Sequence, residues 1–204
     1  RNILKAGFPL FVHNRSHAAV DELVAEGAVA ASTPAVVAAQ VDVVFTNLPD
    51  TPDVEKVVLG EKGIIEGAHH GLVYVDNSTI KPASARMIAE KLKENNVFAL
   101  DAPVSGGDIG ARHGTLTIMV GGDASALERV KPVLLAMGKT VTHVGDAGAG
   151  QVGQHHPAHR GGERGQARAH AQADAHHPAH RHPQHVDDVA AVQQPGIGRP
   201  ADLE

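Results

Sequence analysis

The sequence predicts an α/β fold over residues 1–150, built on a doubly wound, mostly parallel sheet and followed by a disordered tail. Short apolar runs alternate with stretches of helical periodicity in this region. The runs are apolar throughout, as in strands that are covered on both faces of a sheet. All five aromatic side chains lie before residue 100, whereas nine of the 15 histidines lie in the last fifty residues. The composition therefore divides the chain near residue 150.

Six strands and three helices are predicted in chain order. The first helix ends at Gly27, a residue type that favours helix ends. The second has Pro52 in its first turn, where no intrahelical bond needs its N–H. In the third, Ile88 and Leu92 are spaced by four and share one face. The strands cover residues 10–13, 42–47, 72–76, 97–100, 115–120 and 140–144, and the helices cover 18–26, a segment from 51, and 82–94.

The tail, residues 151–204, is rich in His, Ala, Arg and Pro. Its large aliphatic residues after 155 are Val186, Val189, Val192, Ile197 and Leu203. So few cannot bury enough apolar surface to offset the entropy lost on ordering the segment. His-His-Pro-Ala-His-Arg occurs at 155–160 and again at 176–181, a low-complexity repeat that could capture Zn²⁺ or Ni²⁺. Without carboxylate or thiolate partners in a folded frame, we predict no metal site.

Charge and composition exclude several classes of function. With 18 Lys and Arg against 23 Asp and Glu, the net charge is -5, so no general attraction to nucleic acid is expected. The absence of cysteine excludes disulfides, thiolate zinc sites and cysteine nucleophiles. No apolar run reaches the ~18 residues of a membrane span. The sequence opens on Arg1 without a charged and then apolar leader, so we expect a cytoplasmic protein.

Polar and turn-forming residues follow the first three predicted strands. In a parallel sheet these carboxyl ends meet at one edge, where the ligands of doubly wound folds bind. Asn, Asp, Ser and Thr also favour turns and helix caps, so each segment alone has that simpler interpretation. The segments are Asn14-Arg15-Ser16, Leu48-Pro49-Asp50 and Asn77-Ser78-Thr79.

Arg15 suggests the kind of ligand. A guanidinium at this point suits the adenosine 2′-phosphate of NADP, whereas an acidic residue would suit the 2′-hydroxyl of NAD. The alternative is an ordinary surface arginine. Arg15 therefore favours NADP(H), with NAD(H) as the second candidate.

A Ser-Gly-Gly segment, Ser105-Gly106-Gly107, follows the strand predicted at 97–100. Its glycines let backbone N–H groups approach an anion closely, and a carboxylate is one candidate. The alternative is a tight turn before the next helix. The residues alone do not decide between the two.

In combination these segments resemble the β-hydroxyacid dehydrogenases, which include 3-hydroxyisobutyrate dehydrogenase and 2-hydroxy-3-oxopropionate (tartronate semialdehyde) reductase. The matching pieces occur in family order from residue 1 to about 152. Residues 59–67 and the Ser-Gly-Gly segment look most like the tartronate semialdehyde reductases. The matching segments are residues 1–7, 13–16, 48–52, 76–80, 101–107 and 114–122.

The resemblance implies a Rossmann-type domain over residues 1–150 that binds NAD(P), and a small hydroxy acid or semialdehyde as substrate. The family transfers a hydride between the nicotinamide and the carbon that bears the substrate oxygen, with a lysine as general acid. The residues lining the cofactor would be Asn14, Arg15, Ser16, Leu48, Pro49 and Thr79. The substrate carboxylate would be held by Ser105, Gly106 and Gly107.

The chain departs from the family pattern at both ends of this domain. The family opens with a strand and a G-x-G-x-x-G turn that binds the pyrophosphate, and residues 1–7 resemble the end of the helix that follows. We therefore expect the domain to be truncated and its sheet to lack the first strand. The family lysine falls at Gln154, which cannot supply a proton, and no lysine follows Lys139. This chain is expected to be inactive.

The tail stands where the family has a helical second domain that closes the site and mediates dimerisation. A homo-oligomer is expected only where that domain is present. Moving the codons of residues 160–166 by one base permits Glu-Ala-Val-Ser-Glu-Ala, which resembles the family's interdomain helix. This supports the hypothesis that the tail is translated in a shifted reading frame.

Three functions remain open. The favoured one is an oxidoreductase, inactive in this form, that reduces tartronate semialdehyde or oxidises a related 3-hydroxy acid such as 3-hydroxyisobutyrate. The second is a non-catalytic nucleotide- or carboxylate-binding remnant. The third is a histidine-rich metal-binding protein.

Overall fold

Residues 1–155 and 188–193 are described by a computed structural model. In this part of the chain nine strands form one sheet, and helices lie along it. The strands are β1 (Leu10–His13), β2 (Val29–Ala30), β3 (Val43–Asn47), β4 (Val73–Asp76), β5 (Phe98–Asp101), β6 (Val104–Ser105), β7 (Leu116–Gly122), β8 (Gly138–Gly145) and β9 (Asp188–Val192). The helices are α1 (Asn2–Lys5), α2 (His17–Ala25), α3 (Pro34–Ala38), α4 (Thr51–Leu59), α5 (Ile64–Gly67), α6 (Pro82–Lys93), α7 (Gly107–His113), α8 (Ala124–Met137) and α9 (Ala149–His155).

Two apolar cores lie on opposite faces of the sheet, because successive side chains of a strand point to opposite faces. Along β3, Val43 and Phe45 belong to one core and Val44 belongs to the other. Helices α1, α2 and α8 pack into the first core, and α3, α4 and α6 pack into the second. Burial on both faces explains why the strands read as continuous apolar runs.

The strands follow the order β2-β1-β9-β3-β4-β5-β7-β6, with β8 paired to β7. β2 is parallel to β1, and β3, β4 and β5 are parallel to one another. β1 and β3 both pair antiparallel with β9, so they run in the same direction. β7 runs antiparallel to β5 and β6. The predicted doubly wound, mostly parallel sheet is confirmed.

Side-chain caps define where three helices begin. The Asp50 carboxylate accepts from the Asp53 N–H at 3.2 Å at the start of α4. Thr33 caps α3 in the same way, and Asp123 caps α8. Each cap satisfies an N–H that has no partner inside the helix. The strand-to-helix turn after β3 is therefore held close to the edge where a ligand would bind.

The sequence predicts a sheet that lacks its first strand and a disordered tail. Residues 188–192 of that tail instead form a strand of the sheet. β9 fills the gap between β1 and β3, antiparallel to both, and Val189, Ala191 and Val192 are buried. Both neighbours offer unpaired backbone N–H and C=O groups, so even this short segment gains two ladders of hydrogen bonds. The rest of the predicted tail beyond residue 155, including the histidine-rich repeats, lies outside the described residues.

Candidate functional site

The carboxyl ends of four parallel strands lie along one edge of the sheet. β1, β3, β4 and β5 end at His13, Asn47, Asp76 and Asp101. The segments that the sequence marks as candidate site residues follow the first three of these ends. The structure therefore brings them to a common edge, here called the carboxyl edge, where doubly wound sheets bind ligands.

A cavity of about 160 Å³ opens at the carboxyl edge and is here called the β1–β3 cavity. Arg15 and Leu48, two of the predicted cofactor residues, line it. Lys56 on α4 adds a second permanent cation. The other lining residues are His13, Pro34, Asp53, Val57, Glu61, Gly63 and Val189. Apolar walls with charged groups beside them suit a ligand that has a flat ring and a polar end.

The turn after β1 is shaped by Asn14. Its side-chain oxygen accepts from the Ser16 N–H at 2.8 Å, an arrangement that folds the chain back into α2. Asn14 is buried, whereas Arg15 and Ser16 are exposed. The local geometry thus gives Asn14 and Ser16 a role in the turn, and it presents Arg15 to solvent beside the cavity.

The turns after β3 and β4 are joined by Ser78. The Leu48 N–H donates to the Ser78 hydroxyl oxygen at 2.8 Å, and the Ser78 N–H donates to Asp76 Oδ1 at 3.0 Å. Pro49 and Thr79, next to these residues, are exposed. Of the predicted cofactor residues after the two strands, Leu48 therefore belongs to this hydrogen-bonded unit, and Pro49 and Thr79 are its neighbours in the chain.

Asp76 is a buried carboxyl group at the end of the central strand β4. Its Oδ1 also accepts from the Thr46 hydroxyl at 2.9 Å, and that hydroxyl lies 2.8 Å from the Tyr74 hydroxyl. Asp76 Oδ2 has no hydrogen-bond partner among the described residues. Burial raises the pKa of Asp76 to about 6. Burial also raises the pKa of Tyr74, so this phenol stays neutral.

Asp101 anchors the start of α9. Its Oδ1 accepts from the Gly148 N–H at 2.7 Å, and its Oδ2 accepts from the Gln151 N–H at 2.9 Å. A side chain at Gly121 or Gly150 would collide with the Asp101 carboxylate. Burial raises the pKa of Asp101, although these N–H donors oppose that rise.

Gln151 connects α9 to the turn after β4. Its side-chain oxygen accepts from the Ile80 N–H at 3.0 Å, and its amide nitrogen donates to the Ser78 carbonyl oxygen at 2.8 Å. The side chain is fully buried. The exposed Thr79 lies between the two backbone groups that Gln151 holds, so this glutamine fixes the backbone around a predicted cofactor residue.

The Ser-Gly-Gly segment and position 154 lie close together. Ser105 ends β6, and Gly106 and Gly107 both have positive φ angles, +133° and +59°, which glycine adopts without strain. The Gln154 amide nitrogen donates to the carbonyl oxygen of Val104, the residue before Ser105, at 3.3 Å. The fold thus brings the predicted carboxylate-binding segment next to the position predicted for the catalytic lysine.

The residues at the carboxyl edge fit one half of a dinucleotide better than the other half. The β1–β3 cavity offers apolar walls and two cations beside the turn that carries Arg15. In doubly wound folds the pyrophosphate binds where a central strand passes into a helix. β9 runs the opposite way, so its amino end, at Asp188, lies opposite Asn47 at this edge. Among the described residues, the β1–β3 cavity therefore suits the adenosine end of a dinucleotide, and no strand between β1 and β3 passes into a helix at this edge.

Three residues that hold or line the site were not singled out from the sequence. Lys56 shares a helix with Pro52 but gives no motif of its own. Asp101 opens the matching segment 101–107 but is not among the predicted site residues, although like Asp76 it ends a strand of the sheet. Gln151 lies three positions before Gln154 on α9, so the two residues share one face of the helix. This spacing is the signal by which the sequence could have identified Gln151.

Residues 1–155 and 188–193 contain no group of three His, Asp or Glu residues that could hold a metal ion. No helix in these ranges is long and apolar enough to cross a membrane.

Comparison with known proteins gives a family match over most of the chain. The sequence model of a family described as the NAD binding domain of 6-phosphogluconate dehydrogenase matches residues 1–145. The chain is 46% identical over 151 residues to the NAD-dependent L-serine dehydrogenase of Pseudomonas aeruginosa, covering 74% of this chain and 51% of that protein. It is 45% identical over 151 residues to the 2-hydroxy-3-oxopropionate reductase of Escherichia coli, with the same two coverages, 74% and 51%.

A solved structure gives the same picture. The 3-hydroxyisobutyrate dehydrogenase of Mycobacterium tuberculosis, solved with L-serine, matches with a TM-score of 0.68 and 35% identity. The match covers 75% of this chain and 52% of that one. The chain therefore spans about half the length of the curated relatives and of the solved structure that it matches.

Proposed function

The chain belongs to the family of the NAD-binding domain of 6-phosphogluconate dehydrogenase, and on that premise we propose that residues 1–150 form the cofactor domain of an NAD(P)-dependent β-hydroxyacid dehydrogenase. The resemblance to this group that the motifs predict is confirmed by the reductase and dehydrogenases that match the chain. The observation that carries the proposal is the convergence of three separate turns, after β1, β3 and β4, on one edge beside a cavity.

NADP(H) is the favoured cofactor and NAD(H) the alternative. Arg15 lines the β1–β3 cavity and follows the strand where a 2′-phosphate would be recognised. We propose that Leu48 packs against the adenosine. The other cofactor residues in this proposal are Asn14, Ser16, Pro49 and Thr79. Against NADP(H) stands the relative from Pseudomonas aeruginosa, which is named as NAD-dependent.

The proposed substrate is a small carboxylate with an aldehyde or hydroxyl group, with tartronate semialdehyde favoured and 3-hydroxyisobutyrate as the alternative. Backbone N–H groups at Ser105, Gly106 and Gly107 would hold its carboxylate, because the two glycines allow close approach. The reductase from Escherichia coli and the dehydrogenase solved with L-serine support a substrate of this class.

The side chain at position 154 determines whether the chain can donate a proton to such a substrate. A nicotinamide cofactor, when bound, would supply the hydride for reduction of the aldehyde, and the substrate oxygen would then need a proton from a neighbouring side chain. Gln154 lies beside the Ser-Gly-Gly segment, where that proton would be delivered. Its amide can donate a hydrogen bond but has no acidic proton to transfer. We therefore propose that the chain in this form binds ligands and does not turn them over.

A titration of the full chain with NADPH, monitored through the fluorescence of the nicotinamide, tests the binding part of the proposal. We expect saturable binding, and no saturation up to millimolar NADPH would overturn it. Addition of tartronate semialdehyde to the saturated complex tests the catalytic part. We expect the absorbance of NADPH to stay constant, whereas its decay at a rate proportional to protein concentration would show an active enzyme.

The non-catalytic nucleotide-binding remnant is the second candidate, and the amide at Gln154 favours it. The two candidates differ in whether the Ser-Gly-Gly segment still binds a substrate carboxylate. Binding of L-serine or 3-hydroxyisobutyrate to the NADPH complex, measured by calorimetry, favours the inactive dehydrogenase. If NADPH binds but neither of these hydroxy acids binds to its complex, the remnant is favoured.

A further inference from the structure

Asp76 and Asp101 lie side by side at the carboxyl edge. They are directly opposite each other in the parallel pair of β4 and β5, and neighbouring strands of a sheet lie about 4.8 Å apart. Their side chains point to the same face of the sheet, and both residues line one cavity of about 10 Å³. A cavity of this volume has room for about one water molecule. The two acidic side chains therefore share a confined space.

The hydrogen bonds of Asp76 determine where its proton can reside. Oδ1 accepts from the Thr46 hydroxyl and from the Ser78 N–H, so both of its lone pairs are used. Oδ2 has no hydrogen-bond partner among the described residues, although only 1% of the residue is exposed. A protonated Asp76 therefore carries its proton on Oδ2.

Asp101 is the ionised member of the pair. Its two oxygens accept from the backbone N–H groups of Gly148 and Gln151, and such donors stabilise a carboxylate. Two carboxylates this close repel each other, so the other member keeps its proton more tightly. Burial, together with the charge of Asp101, raises the pKa of Asp76 to about 6. Below this pH the pair therefore holds a proton, and that proton resides on Asp76.

No cation among the described residues that line this small cavity offsets a second negative charge. The remaining titratable group in the lining is Tyr74, and burial raises its pKa, so it stays neutral. Arg86 on α6 lies against Gly148 and outside the lining. The residues that α6 turns toward the cavity are apolar: Ala85, Ile88 and Ala89. Ionisation of Asp76 therefore places a second charge beside Asp101 without a counter-ion in the cavity.

Each carboxyl group holds one part of the proposed cofactor site. Asp76 binds the Ser78 N–H, and the Ser78 hydroxyl accepts from the Leu48 N–H, so Asp76 fixes the turns after β3 and β4. Asp101 binds the first turn of α9, which carries Gln151. The Gln151 side chain in turn bonds the backbone after β4. Repulsion between the two carboxylates would push these turns away from α9.

We propose that Asp76 and Asp101 are positioning residues that share one proton, and that the singly protonated pair holds the turns after β3 and β4 against α9 in the arrangement that binds NADP(H). The phosphates of the cofactor act in the same direction, because their charge at this edge disfavours another buried anion. By linkage, the cofactor favours protonation of the pair as much as protonation favours binding of the cofactor. The inference rests on the proposed function and adds to it that cofactor affinity falls as Asp76 ionises.

A pH titration of the side-chain carboxyl groups by ¹³C NMR, on the full chain with and without NADP⁺, tests the inference. We expect Asp76 to titrate at a higher pH than Asp101, and saturating NADP⁺ to raise the pKa of Asp76 further. A higher titration pH for Asp101, or an Asp76 titration that NADP⁺ leaves unchanged, would overturn the inference and leave the proposed function standing. Failure of NADP⁺ to bind at any pH would overturn both.

Asp76→Asn isolates the effect of the proton in calorimetric titrations with NADP⁺, with Asp21→Asn as the matched control. Asparagine resembles the protonated carboxyl group because it cannot ionise, and Asp21 is exposed on α2 and lines neither cavity. We expect the wild type to bind NADP⁺ as tightly as Asp76→Asn at pH 5, and about fivefold more weakly or worse at pH 7.5. Asp21→Asn should follow the wild type at both pH values.

The comparison between variants separates Asp76 from other groups near the ligand that change charge with pH. These are the imidazole of His13, which lines the β1–β3 cavity, and the 2′-phosphate of NADP⁺ itself. Both are present in all three proteins, so their contribution cancels in the ratio of Kd values. If the Kd values of the wild type and Asp76→Asn keep a constant ratio from pH 5 to pH 7.5, Asp76 has a structural role alone and the inference is overturned.

Discussion

The side-chain amide of Gln151 donates to the Ser78 carbonyl oxygen at 2.8 Å, and the same side chain accepts from the Ile80 N–H at 3.0 Å. One buried residue on α9 therefore holds both sides of Thr79, a predicted cofactor residue. Gln154 lies one helical turn further along α9 and contacts the strand of the Ser-Gly-Gly segment. The predicted cofactor and substrate regions are thus joined through a single helix.

Replacing Gln151 by Leu should destabilise the fold strongly. The substitution leaves the Ile80 N–H and the Ser78 carbonyl buried without partners, at a cost of about 1–3 kcal/mol each. Urea denaturation should show a fall of about 2–6 kcal/mol in the free energy of unfolding. Gln154→Leu is the control, because it loses one longer bond at a partly exposed position. Similar losses in the two variants would contradict this account of Gln151.

Asp76 should make the fold less stable as the pH rises. Its folded pKa of about 6 lies above the unfolded value of 3.8, so the folded state binds the proton more tightly. The contribution of the protonated form is complete below pH 3.8 and is lost as the pH rises through about 6. A shift of this size corresponds to about 3 kcal/mol.

Asp76→Asn isolates this contribution. Asparagine keeps an acceptor for Thr46 and Ser78 but cannot ionise. Denaturation from pH 4 to pH 7.5 should show that the wild type loses stability relative to Asp76→Asn as the pH rises. Asp108→Asn, at an exposed position, should follow the wild type. A constant difference between wild type and Asp76→Asn across this range would contradict the prediction.

β9 should be part of the stable sheet. Ala191 is fully buried between β1 and β3, so Ala191→Asp places an unpaired charge in the core, at a cost of about 3–5 kcal/mol. Gln193→Asp, two residues on and exposed, is the matched control. Thermal denaturation should show a large fall in Tm for the first variant and almost none for the second. An unchanged Tm in Ala191→Asp would mean that this segment does not fill the gap.

Arg15→Asp should reverse the preference between cofactors. The substitution replaces a cation by an anion beside the proposed 2′-phosphate, while a carboxylate suits the 2′-hydroxyl of NAD. Fluorescence titrations with NADPH and NADH should show a change of about tenfold or more in the ratio of their Kd values. Lys93→Asp, which makes the same charge change at an exposed position of α6, should leave the ratio unaltered. A preference that survives in Arg15→Asp would remove the argument for NADP(H).

Continuous apolar runs made most of the sheet predictable. The first strand was predicted at residues 10–13, and β1 occupies Leu10–His13. The helix predicted at 82–94 is α6, Pro82–Lys93. Because such strands are buried on both faces, they appear in the sequence as continuous apolar runs. A proline in the first turn marks where a helix begins. The turns after β1, β3 and β4 could then be placed at one edge from topology alone.

The parts that the sequence did not predict depend on partners far away in the chain. β9 begins with an acidic residue and has two alanines, and its burial is decided by the unpaired edges of β1 and β3. β2 and β6 have two residues each, too short for any pattern. The role of Gln151 requires bonds across more than seventy residues. A local window of sequence contains none of this information.

The most direct test of the central claim is an NMR titration of the ¹⁵N-labelled full chain with NADPH. The account predicts saturable shifts in the amide signals of Arg15, Lys56, Val57 and Thr79, with the signals of α8 unaffected. Shifts confined to residues away from the carboxyl edge, or no shifts at millimolar NADPH, would contradict the assignment of this edge as a nucleotide-binding site.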